Sequence, residues 1–110
     1  MSIAVRIEEL AETIEQQIGW CYLLTVSESL QVRVLAIAPK WSADGMSLHA
    51  LVGQRTADNL AARPDVSMVW PPAAADGDTL IADGVAIVDG LRLTFQPTSA
   101  VLHRSTVTRS

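Results

Sequence analysis

Lysine is almost absent from this sequence: Lys40 stands alone beside seven arginines, against twelve acidic residues, for a formal net charge of -4. A general nucleic-acid binder neutralises phosphates with a basic surface, so that class is excluded. A phosphorylated small molecule is still allowed, because two well-placed arginines can hold one phosphate whatever the overall charge. Cysteine is just as scarce. Cys21 has no partner for a disulfide, a redox pair or a zinc motif, and reads as a small buried hydrophobe. No apolar run approaches the roughly 18 residues that cross a bilayer, and residues 1–6 lack the charged-then-apolar layout of a secretory leader. The expected location is therefore the cytoplasm, with no membrane partner. Also missing are a nucleophile elbow, a zinc-protease motif, a phosphate-binding P-loop and a dinucleotide-fold glycine motif.

What is present suits one globular domain: 110 residues, 49% of them hydrophobic, with a mean hydropathy of +0.27. The apolar content is enough to offset the ordering entropy of a folded chain. Ile7, Leu10, Ala11, Ile14 and Ile18 recur at helical spacing with glutamates mostly off that stripe, which predicts an amphipathic helix over 3–18, ending near Gly19. Beyond Trp20 the pattern shortens to β-type runs at 21–26, 30–38, 46–52, 66–70, 79–88 and 91–96, or six strands. Turn chemistry separates them at 27–29 and 42–45, and Asp89-Gly90 is a hairpin signal of the I′ kind. Residues 55–62 are too polar and alanine-rich for a strand and predict a short helix ending at Arg63-Pro64. The domain is expected to span 1–104, followed by a polar tail at 105–110. Strands joined mostly by tight turns call for an antiparallel barrel or strongly curled sheet, since their edges must be hidden.

Two places could carry chemistry. On the strand at 30–38, Arg33 alternates onto the same face as Leu35 and Ile37, a charge in apolar company that must find solvent, a carboxylate or a bound anion. At the strand-to-helix junction Gly53-Gln54-Arg55-Thr56, unpaired first-turn amides, a guanidinium and a hydroxyl suit an anion, and equally a helix cap with a surface charge. His49 and His103 have no metal-ligand spacing and are given no catalytic role, and no metal site is expected. Trp20, Trp41 and Trp70 are read first as core anchors, with an interface or a planar ring as other uses.

The runs Gln31-Val32-Arg33-Val34-Leu35, Leu51-Val52-Gly53-Gln54-Arg55-Thr56-Ala57-Asp58-Asn59-Leu60-Ala61-Ala62-Arg63-Pro64 and Asp83-Gly84-Val85-Ala86 together resemble the pyridoxamine 5′-phosphate oxidase-like superfamily of FMN-binding split β-barrels. The resemblance extends from about Trp20 to Arg104. It implies a mainly β fold, a six-stranded antiparallel split barrel that forms a homodimer, and a flavin-dependent oxidoreductase acting on a small-molecule substrate. The cofactor-binding residues it implies are Arg33 and the adjacent Val34 on the strand, and Gln54, Arg55 and Thr56 at the helix turn. Gln54 stands where the family has serine, Thr56 where it has lysine, Asp83 for glutamate and Arg63 for asparagine. With the lysine gone and little chain after the barrel, oxidation of pyridoxamine phosphate itself is not expected. FMN is the leading cofactor, with deazaflavin or haem as other planar groups used on this barrel. The competing expectation is a dimeric accessory module that binds no cofactor.

Overall fold

The computed structural model describes residues 2–106. Among them are eight strands, two α-helices and one 3-10 turn: β1 Ser2–Val5, the 3-10 turn Ile7–Glu9, α1 Leu10–Glu15, β2 Cys21–Val26, β3 Val32–Ile37, β4 Lys40–Trp41, β5 Leu48–Leu51, α2 Gln54–Ala62, β6 Asp65–Trp70, β7 Thr79–Asp89 and β8 Arg92–His103. One antiparallel sheet runs in the order β3-β2-β6-β7-β8-β5-β4, and β1 adds to β8. Its two end strands, β3 and β4, are joined by Ala38 and Pro39 alone. A trans chain advances at most about 3.6 Å per residue, so the ends of the sheet must come close and the sheet must curl into a barrel.

Alternation then sorts the side chains. On β2 the odd positions Cys21, Leu23 and Thr25 are buried, and on β7 the even positions Leu80, Ala82 and Ala86. With Met68, Trp70, Leu93 and Phe95 they fill the interior, and Leu10 of α1 and Ala57 and Leu60 of α2 close its ends. Of the three tryptophans Trp70 is a core residue, Trp41 packs partly against the core, and Trp20 meets Tyr22 edge to face at 4.9 Å.

The structure corrects three sequence expectations. The predicted helix over 3–18 is a strand, a 3-10 turn and a helix of only six residues. Residues 2–5 find an open edge on β8, where β5 has paired only with Arg92 to Phe95, and they add to Ala100 through His103. That ladder, with β-branched Ile3 and Val5, outweighs a local helical periodicity. Six strands become eight, because Ser2–Val5 and Lys40–Trp41 add to those the sequence predicts, and the last strand runs on to His103. The hairpin loop is Gly90-Leu91, with positive φ at its first position only (Gly90, 61°), which matches a II′ rather than a I′ turn. Of the tail expected at 105–110, Ser105 donates to the Ala75 carbonyl at 2.9 Å, and 107–110 lie outside the described residues.

Candidate functional site

Helix α2 begins one residue earlier than predicted, at Gln54, on a Gly53 N-cap that offers no side-chain bond to the first-turn amides. The first intrahelical bond runs from the Ala57 amide to the Gly53 carbonyl, so the amides of Gln54, Arg55 and Thr56 have no helical partner. The other end is held by tertiary contacts. The Arg63 Nε donates to the Val26 carbonyl at 2.7 Å, and the Ala86 amide donates to the Pro64 carbonyl at 2.8 Å. These bonds fix α2 over the end of β2, where the 27–30 turn leads into β3.

Arg33 and Arg55 therefore come to the same place on the surface. Both line one groove of about 500 Å³, together with Ser27, Glu28, Ser29, Asp58 and Asn59. Arg33 lies in register opposite buried Thr25, at the open rim of the barrel, and its Nη2 donates to Gln31 at 2.9 Å. Among the described residues neither guanidinium has a carboxylate within ion-pair distance, which leaves donors on both free for an anion. The other implied residues lie elsewhere. Gln54 turns to Asp58, donating Nε2 to Oδ1 at 2.9 Å, and Thr56 is half-buried beside the groove rather than lining it. Val34 alternates onto the opposite face of β3 from Arg33 and is 60% exposed.

Sequence reasoning missed the two carboxylates in the groove, Glu28 and Asp58. Asp58 was legible in principle, since it follows Arg55 by three positions and shares its helix face. Glu28 comes in only through the β2–β3 hairpin. These carboxylates offset part of the arginine charge, and Gln54 draws Asp58 toward the helix start. The remaining donors are two guanidiniums and the hydroxyl pair of Ser27 and Ser29, which bond to each other at 3.0 Å, a set that fits a phosphate.

A second groove of about 340 Å³ lies on the outer sheet face between Leu24, Val26, Val32, Ser67, Asp83 and Val85. Its polar spot is the Ser67 hydroxyl, which donates to Asp83 at 2.5 Å. Among the described residues no three histidine, cysteine or acidic side chains gather at metal-binding distance.

No family model matches the chain. Two curated mycobacterial sequences do: an uncharacterized protein of Mycobacterium bovis and one of Mycobacterium tuberculosis, each 34% identical over 100 residues, covering 77% of this chain and 70% of theirs. The chain belongs to their family. Among solved structures it is similar to an F420 reductase (TM-score 0.63, 16% identity, covering 81% of this chain and 94% of that one). It is also similar to HutZ, the heme storage protein of Vibrio cholerae (TM-score 0.62, 15% identity, 91% and 96% covered). A third is a Listeria innocua protein likened to pyridoxamine 5′-phosphate oxidases (TM-score 0.64, 9% identity, 87% and 96% covered). The fold is thus the split barrel that these structures share, the fold implied by the resemblance carried by the three sequence runs. No helix among the described residues of this split barrel is long and apolar enough to cross a membrane.

Proposed function

We propose that this split barrel binds a flavin-type cofactor, FMN first, and serves as a flavin-dependent oxidoreductase on a small-molecule substrate. One observation carries the reading: Arg33 and Arg55, 22 positions apart in sequence, converge on one groove beside the uncapped start of α2. There the two guanidiniums would hold the phosphate, with the Ser27 and Ser29 hydroxyls beside it. A flavin supplies the electron-transfer chemistry, so the protein's tasks are binding, orientation and exclusion of water. Kinship of fold with an F420 reductase and a heme storage protein supports a planar cofactor and leaves deazaflavin and haem as competitors.

The protein is proposed to work as a homodimer. Val32, Val34 and Ala36 of edge strand β3 continue across Tyr22, Leu24 and Val26 of β2 to Val69, Val85 and Ile87, an outward apolar face broken by the Ser67–Asp83 pair. A second copy is the partner that presents the same apolar face. A lone buried thiol suits the cytoplasm, where we locate the protein.

Glu28 and Asp58 favour a second reading, a dimeric accessory module without a cofactor, because their charge opposes an anion in the groove. The visible spectrum of freshly purified protein and a fluorescence titration with FMN, deazaflavin and haem separate the two. Bound flavin, or saturable quenching weakened at least about tenfold in an Arg33→Ala, Arg55→Ala double variant, supports the cofactor reading. A colourless protein indifferent to all three overturns it in favour of the module.

A further inference from the structure

The one lysine of the chain sits in a second cluster of basic groups, remote in role from the arginine groove. β4, β5 and β8 run side by side, and their register places Lys40 opposite His49, His49 opposite Thr94, and Leu51 opposite Arg92. Alternation sends Trp41, Leu48, Ala50 and Leu93 toward the core and leaves Lys40, His49, Leu51 and Arg92 on the outer face. Arg92 reaches diagonally, bringing Nη2 to 3.5 Å from the His49 Nδ1. A guanidinium only donates, so Nδ1 accepts in this contact and the ring's remaining N–H is on Nε2, directed away from Arg92. Lys40, His49 and Arg92 line one open groove of about 630 Å³ together with Ala38, Trp41, Ser42, Ala43, Ala50 and Leu51.

Basic groups held together on neighbouring strands repel one another, and a chain with a net charge of -4 has acids to spare for neutralising them. Asp44 feels the charge of His49, but among the described residues neither side chain of fixed positive charge, Lys40 or Arg92, has a carboxylate within ion-pair distance. The nearest candidates are engaged or turned aside. Asp44 accepts from the Ser42 hydroxyl and from the Met46 amide at 3.0 Å, and Asp89 faces Arg92 across the hairpin without forming an ion pair. The groove thus presents a guanidinium, an ammonium and an imidazole N–H against a small apolar floor.

The geometry points to a second ligand site here, for a small organic anion whose phosphate or carboxylate is held by Arg92, Lys40 and His49 while its apolar part rests against Leu51 and the alanines. Arg92 gives a planar fork for two oxygens, Lys40 a mobile point charge, and His49 a fixed donor between them. The site is separate from the Arg33 and Arg55 groove and stands whether or not that groove holds a flavin.

Titration of the full-length protein with inorganic phosphate and with benzoate, at ionic strength held constant with sodium chloride, tests it by amide and histidine-ring NMR shifts. The expected result is saturable shifts centred on His49, Lys40 and Arg92, at least about tenfold weaker in a Lys40→Met, Arg92→Gln variant and unchanged in an Arg33→Ala, Arg55→Ala variant. Saturation by phosphate alone identifies a phosphate ester as the ligand class, and saturation by benzoate alone a carboxylate. At His49, Lys40 and Arg92, shifts that are absent, that rise linearly with either anion, or that persist in the Lys40 and Arg92 variant overturn the site, whereas shifts at Arg33 and Arg55 report on the other groove. Both side chains point to solvent, so this variant is expected to keep the native spectrum, and the single variants Lys40→Met and Arg92→Gln serve if it does not.

Discussion

Gly84 shows how one position can be fixed by its neighbours. A Cβ there would lie 2.3 Å from the Gln96 carbonyl oxygen and 2.7 and 2.8 Å from Phe95 ring carbons, at the point where the β7–β8 register shifts. The carbonyl belongs to the adjacent strand and the ring to the core, so neither can yield cheaply. Gly84→Ala is expected to cost about 3 kcal/mol or more, read as a lower urea midpoint. Cys21 shows the effect of burial on a titrating group. Desolvation pushes its thiol up from 9.0 to about 12. Below pH 9 the thiol is neutral folded or unfolded, and between 9 and 12 only the unfolded chain ionises it. Stability contributed by this group is therefore fully present below pH 9 and is lost as pH rises to 12, by at most about 1.4 kcal/mol per pH unit. A disulfide reagent at pH 8 should leave the native thiol unmodified and label it promptly in urea, and Cys21→Ser should flatten the alkaline loss of stability.

Among the elements, α2 matters most to the candidate site, because its start carries Arg55 and its end is tied to β2. Arg63 stands where the superfamily resemblance leads one to expect asparagine, and its structural role is the 2.7 Å bond to the Val26 carbonyl. Arg63→Met keeps the aliphatic stem and removes the donor. The expected loss is about 1–2 kcal/mol in urea unfolding at unchanged m-value, with α2 amides exchanging faster with solvent. Helix α1 makes the opposite point. Its six residues are too few to be stable alone, and it persists because Leu10 is wholly buried and Gln17, just beyond it, donates to the carbonyls of Trp70, Pro71 and Asp78.

For the whole molecule, the outward apolar face of β3, β2, β6 and β7 is the feature that one copy of the chain leaves unsatisfied. Val34 lies within it at 60% exposure, so a charge there should cost an isolated subunit no more than about 0.5 kcal/mol. In a dimer built on this face the same charge would be buried in the interface of both copies. Val34→Glu is expected to convert a dimer into a folded monomer in sedimentation equilibrium, with an unchanged far-ultraviolet circular dichroism spectrum. A wild-type chain that sediments as a monomer would remove the dimer from the proposed function.

Alternation and turn residues are local properties, and from them the strands at 21–26, 66–70 and 79–88, the helix ending before Pro64 and the barrel class could be read directly. The presence of Arg33 and Arg55 as phosphate-compatible groups was legible too, because residue type and spacing carry it. Long-range pairing carried the rest. That Ser2–Val5 is a strand depends on a free edge of β8 about a hundred residues away. That Glu28 and Asp58 enter the groove depends on how a hairpin and a helix are set against each other, whereas Val34 faces away from it by strand alternation alone. The basic groove of Lys40, His49 and Arg92 likewise exists only in the register of three strands, since side chains distant in sequence acquire a common face only once hydrogen-bonded ladders fix which residues stand opposite one another.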